Sequence, residues 1–423
     1  MKYCKKCGAE IQDDDHFCKK CGNPTQDIPK KKGKKGIIIG GCVGVIVLVA
    51  VAGGLFATGI IGDKGEVVQT NNNATVQQES FGVTGQAVSG NSIEGTETDN
   101  QNEGQEENEV DEYSANEKSA DVMISSAEEL VEFSERLVTE NGYGGKRIIL
   151  TCDIQFNETM NAAFEPIGFW EDFNGTFDGC GHTISGIEIS QGRDLICVGL
   201  FSTIGKDGVV KNVTLKDCYF EPNTNNKESG GIAAKNLGII DNCHNRGTEA
   251  YAGISAINEG TIVNCSSTGR IIGYTAAGGI VGVNKGYIYN CYNAGEVSLG
   301  DGGLENHELI AVGGIVGQNT KGSVINCYNT GSVTTIGVPC GGIAGISGSD
   351  ATVSKSYCSS ESADKRLGYN EGHESDCDIL EKKDMETETF RDQLNQNCGT
   401  NEGWKKWELR TEDGVLYPQH IKE

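Results

Sequence analysis

From Gly199 onward, apolar residues alternate with small or polar ones in short runs that return in phase. GGIVGVNKGYIYNCYNAGEV, starting at Gly278, comes back at Gly313 as GGIVGQNTKGSVINCYNTGSV, with one residue added. GGIAAKNLGIIDNCHNRGT from Gly230, GISAINEGTIVNCSSTGRI from Gly253, GGIAGISGSDATVSKSYC from Gly341 and the looser GLFSTIGKDGVVKNVTLKDC from Gly199 share the register. The Gly before the recurring Ile or Leu stands at 199, 231, 253, 279, 314 and 342, so the shortest complete unit has 22 residues. Within a unit, Ile232, Ile254, Ile280, Ile315 and Ile343 hold one position. Ile240, Ile262, Ile288 and Val324 hold a second, and Ile271, Val297 and Val333 a third. Alternation of period two, broken by Asn-Gly-type turns, predicts strands. Three short strands cannot bury an apolar face alone, but units stacked at about 4.8 Å bury one continuous column. The pattern therefore predicts a mainly β chain built as a right-handed parallel β-helix of about six coils.

Two polar features follow the same phase. Asn242, Asn264, Asn290 and Asn326 recur, each followed by a Cys: Cys243, Cys265, Cys291 and Cys327. A stacked Asn row satisfies its amides from coil to coil. The Cys row reads either as a buried apolar ladder or as disulfides between coils.

The phrase GGIVGxNxGxIxNCYNxGxV resembles the GLUG motif, a repeat of bacterial surface and secreted proteins. SAEELVEFSERLVTENGYGGKRIILTCDIQFN and PIGFWEDFNGTFDGCGHTISGIEI resemble the leader that precedes such repeats, with Cys180 where Asn is expected. The resemblance implies a surface-exposed β-helix and little about chemistry.

The ends of the solenoid read as caps. Ser126 and Glu129 suit a capping box, opening a helix with Leu130, Phe133 and Leu137 on one face and an end near Gly142. At the other end a helical stretch from Thr389 is followed by an aromatic one. Trp170, Trp404 and Trp407 all lie outside the repeats, as caps that hide strand edges or as a platform for sugars.

The N-terminal segment is different in kind. Cys4-x2-Cys7-x10-Cys18-x2-Cys21 is the spacing of two paired knuckles closing a tetrahedron around Zn2+. It resembles small zinc-ribbon modules of bacterial membrane proteins. Four thiolates leave no open position, so the zinc is structural. A lysine run at 30–35 precedes 25 uncharged residues, Ile37–Ile61, about 38 Å of helix and enough to span a bilayer. The basic run places the N-terminus in the cytoplasm. Gly40 and Gly44 form a GxxxG pair that suits weak homodimerisation. Residues 63–118 are polar, acidic and without Pro, a tether whose ends lie about 40 Å apart.

Charge inverts across this boundary. Residues 1–36 hold ten Lys/Arg and five Asp/Glu, leaving 25 against 55 in the rest of a chain of formal charge −25. So acidic an exterior argues against nucleic acid or anionic lipid as partners.

Catalytic motifs fail on inspection. His307-Glu308-Leu309-Ile310 begins a metallopeptidase motif, but Ala311 replaces the second His. Gly345-Ile346-Ser347-Gly348 approaches a nucleophile elbow, but Ser349 replaces the last Gly. No carboxylates recur at one coil position, as a glycan-processing β-helix would need. A non-enzymatic role is expected.

The domain order is a zinc ribbon at 1–28, a basic stretch at 29–36 and a membrane helix at 37–62. A tether at 63–118 leads to a cap with first strands at 119–195, repeat coils at 196–360 and a C-terminal cap at 361–423. The expected function is binding of an extracellular glycan or protein at the cell surface. Insertions at 221–229 and 298–311 and the tyrosines Tyr287, Tyr289, Tyr292 and Tyr328 are the candidate ligand sites. The alternative is an envelope sensor that signals to a cytoplasmic protein partner through the ribbon.

Overall fold

The structure is a computed structural model that describes residues 2–3, 10–11, 120–190, 195–221, 228–300, 310–401, 403–412 and 415–421. The chain divides into two compact units, 1–97 and 98–423.

In the first unit the strands Lys2–Tyr3 and Glu10–Ile11 pair antiparallel, Lys2 opposite Ile11 and Tyr3 opposite Glu10. This pair brackets the Cys4–Cys7 knuckle in sequence. Cys4, Cys7, Cys18 and Cys21 themselves, the apolar stretch 37–61, the Gly40/Gly44 pair and the tether 63–118 lie outside the described residues. No helix among the described residues is long and apolar enough to cross a membrane.

The second unit is a parallel β-helix with three principal ladders, of 7, 10 and 9 strands. The first runs from Phe201–Ile204 to Leu367–Asn370 and the second from Val122–Ile124 to His373–Ser375. The third runs from Ile154–Gln155 to Asp378–Leu380. Every pairing within them is parallel and in register, as in Ile240, Ile262 and Ile288, which stack in successive coils. These residues and Val324 are fully buried, as are Ile232, Ile254, Ile280, Ile315 and Ile343. Close coil packing dictates the Gly-Gly pairs: a Cβ on Gly279 would sit 2.1 Å from the carbonyl oxygen of Gly314 in the next coil.

The expectation of about six coils is too small. The six Gly-marked units supply the first six strands of the first ladder, and Leu367–Asn370 adds a seventh. The second ladder continues upstream through Thr176–Asp178, Arg147–Leu150 and Val122–Ile124. The early coils are filled by aromatic and aliphatic side chains, including Phe173, Phe177 and Phe201, so they lack the repeat phrase. The third ladder was missed for a related reason. Its inward positions change from Ile184 and Leu215 to Asn245, Ser267, Asn293 and Asn329, which no apolar pattern reveals.

Helix α1, Ala127–Arg136, closes the upstream end, with Leu130, Phe133 and the following Leu137 in the main core. Ser126 accepts from the Glu129 amide at 3.2 Å, but the Glu129 carboxylate returns to the Ser125 amide, one residue earlier than a capping box requires. The helix stops at Arg136; Gly142, at φ 69°, belongs to a separate turn.

The downstream segment is not an end cap. Residues 367–380 form one more coil, and its inward Glu374 is neutralised by Arg366 at 2.6 Å. Exposed Glu371, His373, Asp376 and Asp378 put charge and polarity along this last edge, which discourages further strand pairing. The chain then reverses. Helix α2, Glu388–Cys398, and the antiparallel hairpin Trp407–Glu412/Val415–His420 lie along the flank of the third ladder, as a strap.

Candidate functional site

The turn between the second and third ladders is set by the Asn-Cys pairs. Asn212, Asn242, Asn264, Asn290 and Asn326 have φ between 51° and 56°, the left-handed region that Asn tolerates better than most side chains. Asn242 donates to Asn212, Asn290 to Asn264 and Asn326 to Asn290, each at 2.8 Å; Asn264 turns instead to Asp241. A second amide ladder, Asn236–Asn258–Asn284–Asn319, opens three Asn-x-Gly turns and a fourth that is one residue longer, and is fully buried. The Cys row is a hydrogen-bonded ladder of free thiols. The Cys243 amide donates to Cys265 Sγ and the Cys265 amide to Cys291 Sγ, both at 3.4 Å. Burial pushes all three thiols far above their ordinary range, so they are inert as nucleophiles.

The four candidate tyrosines separate into two pairs. Tyr292 and Tyr328 are 1% and 0% exposed and stack 5.3 Å apart at an interplanar angle of 5°. Trp407 packs against both, Tyr417 and His420 against Tyr292, and Phe390 against Tyr328. The Tyr328 hydroxyl donates to the Pro418 carbonyl. Neither ring can meet a ligand while the strap is in place; they are its seat.

Tyr287 and Tyr289 face outward from the second ladder on either side of buried Ile288. Tyr287 is 51% exposed. Its ring lies 5.6 Å from Tyr289, which lies 5.4 Å from Trp404 on the strap. Burial pushes the Tyr289 hydroxyl up to about 12, so it stays a neutral donor. Three rings thus form a strip across the strand, flanked by Thr261 and Ser323 beside Tyr287 and by Val263 and Ile325 beside Tyr289. The strap positions Trp404: Asn264 donates to the Gly403 carbonyl, and Asn290 to that of Lys405, each at 2.8 Å. Sequence reasoning raised Trp404 only as a cap or a general sugar platform. Its return to Tyr289, 115 positions upstream, leaves no local signal.

The other candidates assemble less. Trp170 is 72% exposed and donates to Glu165, away from the strip residues in the ladder order. The insertions are described only at their margins, and His307 and Glu308 lie outside the described residues. The described strands on either side of the insertions end and resume at comparable places in their coils, at 189 and 197, 220 and 228, and 299 and 311. Ser347 is buried in the strand Ala344–Ser347, not at a strand-to-helix turn. His182 Nδ1 lies 3.2 Å from the Asp153 carboxylate, and the Cys180 amide donates to Asp178 at 3.0 Å. Burial and the nearby Asp178 carboxylate, however, push the Cys180 thiol up to about 11. A 320 Å³ cleft beside α1 holds Lys146 and Arg136, which pair with Asp121 at 3.0 Å and Glu132 at 3.3 Å. No group of three or more His, Cys, Asp or Glu suited to a metal occurs among the described residues.

Comparison with known proteins agrees with this architecture. A zinc-ribbon domain model matches residues 3–25, and the GLUG motif model matches residues 309–334. Halomucin of Haloquadratum walsbyi is 36% identical over 110 residues, 23% of this chain, which spans 1% of that protein's length. A crystal structure described as that of a candidate immunoglobulin A1 protease from Bacteroides ovatus superposes with a TM-score of 0.50 at 18% identity. It covers 71% of this chain and 92% of its own, a likeness of fold.

Proposed function

We propose that the β-helix is the extracellular part of a cell-surface protein and binds a carbohydrate chain across the strip Tyr287–Tyr289–Trp404. The carrying observation is the aromatic row, exposed at Tyr287 and half-buried at Tyr289 and Trp404, with ring spacings of 5.6 and 5.4 Å and hydroxyls on the coils to either side of Tyr287. Aromatic faces shed water from the C–H faces of sugars, and hydroxyls beside them fix orientation. The GLUG match and the likeness to halomucin support a surface role. Residues 37–61 would anchor the chain in the membrane, with the ribbon in the cytoplasm. Cys4, Cys7, Cys18 and Cys21 would hold a structural zinc there; the ribbon match and the short antiparallel pair around the first knuckle fit that donor set.

The test is binding of the purified full-length protein to an array of neutral and acidic glycans, beside Tyr287→Ala and Trp404→Ala. Binding that falls tenfold or more in both variants, with unchanged thermal unfolding, is the expected result. Binding equal in all three proteins, or none to any glycan, would sink this reading.

A further inference from the structure

Residues 165–172, EPIGFWED, form an arch over the upstream edge of the first ladder, and both of its feet are pinned to the strand Phe201–Ile204. Ile167 bridges to Phe201, and its carbonyl accepts from the Ser202 amide at 2.7 Å. Phe173 bridges to Ile204, and its amide donates to the Thr203 carbonyl at 3.1 Å. Gly168, at φ 86°, lets the backbone pass close, since a Cβ there would sit 2.4 Å from the Thr203 carbonyl oxygen. Phe169 leans on the main core, but Trp170 at the tip is the most exposed tryptophan of the described residues. Its ring is nonetheless fixed. It stands at 90° to Phe169 with centroids 4.9 Å apart, and its Nε1 donates to Glu165 at 2.9 Å. Two rings at a right angle make a corner, and a bare indole held by two contacts is preformed. The charge at this corner is negative. Glu165, Glu171 and Asp172 lie on either side of the indole in sequence, the last two exposed, and none has an ion pair among the described residues. Adjoining positions leave that excess standing. On the next coil's turn Lys206 is followed by Asp207, which adds no net charge, and Lys235 lies one strand beyond Thr203.

We infer that Phe169 and Trp170 form a binding corner for an organic cation of the alkylammonium class, with Glu165, Glu171 and Asp172 supplying the counter-charge. The negative face of an indole attracts a cation held within about 6 Å of its centroid. Donation of Nε1–H to a carboxylate pushes electron density into the ring and strengthens that attraction. Methyl or methylene groups beside the positive nitrogen shed water against both rings, which a firmly hydrated metal ion does not. A neutral sugar would cover the indole and leave the carboxylates uncompensated, and an anion is repelled. Two walls with open water on the remaining sides give weak binding, with a Kd of about 1–10 mM. Quaternary ammonium headgroups and lysine side chains both carry this chemistry.

Saturation-transfer NMR on the full-length protein reads ligand methyl signals at this affinity. The probes are choline, its uncharged isostere dimethylbutanol, in which carbon replaces nitrogen, and Nα-acetyl-lysine methylamide, all at one ionic strength. Choline or the lysine amide should give a saturable signal about fivefold stronger than the isostere. Trp170→Ala should remove that signal, and the double variant Glu171→Gln/Asp172→Asn should weaken it about threefold. Tyr287→Ala, on the separate strip, should leave it unchanged. All these positions are exposed, and unchanged thermal unfolding verifies that each variant folds. Choline binding more tightly than the lysine amide assigns the corner to a headgroup, and the reverse assigns it to a basic protein segment; either supports the proposal. Equal signals from choline and the isostere, no signal from any probe, or a signal that survives Trp170→Ala or is lost in Tyr287→Ala, would overturn it.

Discussion

Asn326 shows what a single position in a ladder demands. Its amide donates to Asn290 and to the Leu394 carbonyl, but its Oδ1 is buried without a hydrogen-bond partner among the described residues. The next coil offers Lys355 at this turn, with φ 48°, and Lys supplies no short side-chain amide there. Left-handed backbone costs most side chains about 1–2 kcal/mol, and a buried acceptor without a donor costs about 1–3 kcal/mol. Lys355→Asn should relieve part of both and stabilise the fold by about 1–2 kcal/mol, read by chemical denaturation; an unchanged or lower midpoint would count against the ladder account. The Asn-Cys row was readable in the sequence because identical residues recur beside identical turns. Its break at Asn264, which reaches Asp241, was not, since the choice between two acceptors one coil up depends on side-chain geometry. Ser356 fits the same logic. It stands in the Cys column, and its Oγ accepts from the Cys327 amide at 3.2 Å as the thiols do elsewhere.

At the scale of elements, the strap decides most. Its helix and aromatic content were legible, but its destination was not. Trp407 Nε1 donates to Asn290 at 2.8 Å across 117 positions, and no local pattern encodes so distant a contact. His420 fastens the end of the hairpin: its Nε2 meets the Asn290 carbonyl at 2.8 Å and its ring lies 4.1 Å from Trp407. Burial pushes this imidazole down to about 3 against the opposing bond to Asn290, and the charges of Lys405, Arg246 and Arg410 add to the depression. An unfolded or detached strap binds the proton near the ordinary value of about 6.5. Between those values the detached state therefore holds more protons, and attachment weakens as pH falls from about 6.5 toward 3. Hydrogen exchange of residues 407–420 should accelerate over that window while the ladders stay protected. His420→Gln, which keeps an N–H donor and does not titrate, should flatten the dependence. The same slope in wild type and variant would exclude His420 as its source. Because Trp404 rides on the strap, a detached strap also removes one ring of the proposed binding strip.

At the scale of the whole molecule, two compact units divide the chain, and the zinc knuckles belong to the first. Full-length protein should carry one zinc per chain, lost in a Cys4→Ser/Cys21→Ser variant, while the thermal transition of the β-helix stays within about 1 °C of wild type. A common loss of zinc and of β-helix stability would show the units to be coupled. Such separation of roles was legible in composition: a four-cysteine module, an uncharged run, a polar acidic stretch and a repeat follow one another without overlap.

The sequence by itself determined the stack. In a parallel, in-register coil each residue lies over its counterpart, so repetition with period-two alternation is sufficient to specify buried Ile columns, Asn ladders and thin Gly crossings. Only the tertiary structure decided which outward side chains remain available. Tyr287 and Tyr292 stand five residues apart in the same repeat phrase, yet one is half exposed and the other sealed. The difference lies in the strap, which returns more than 100 residues later to bury one ladder's flank and lend a tryptophan to its neighbour. Exposure on a solenoid is a property of what comes back to cover it, and that is settled by long-range packing.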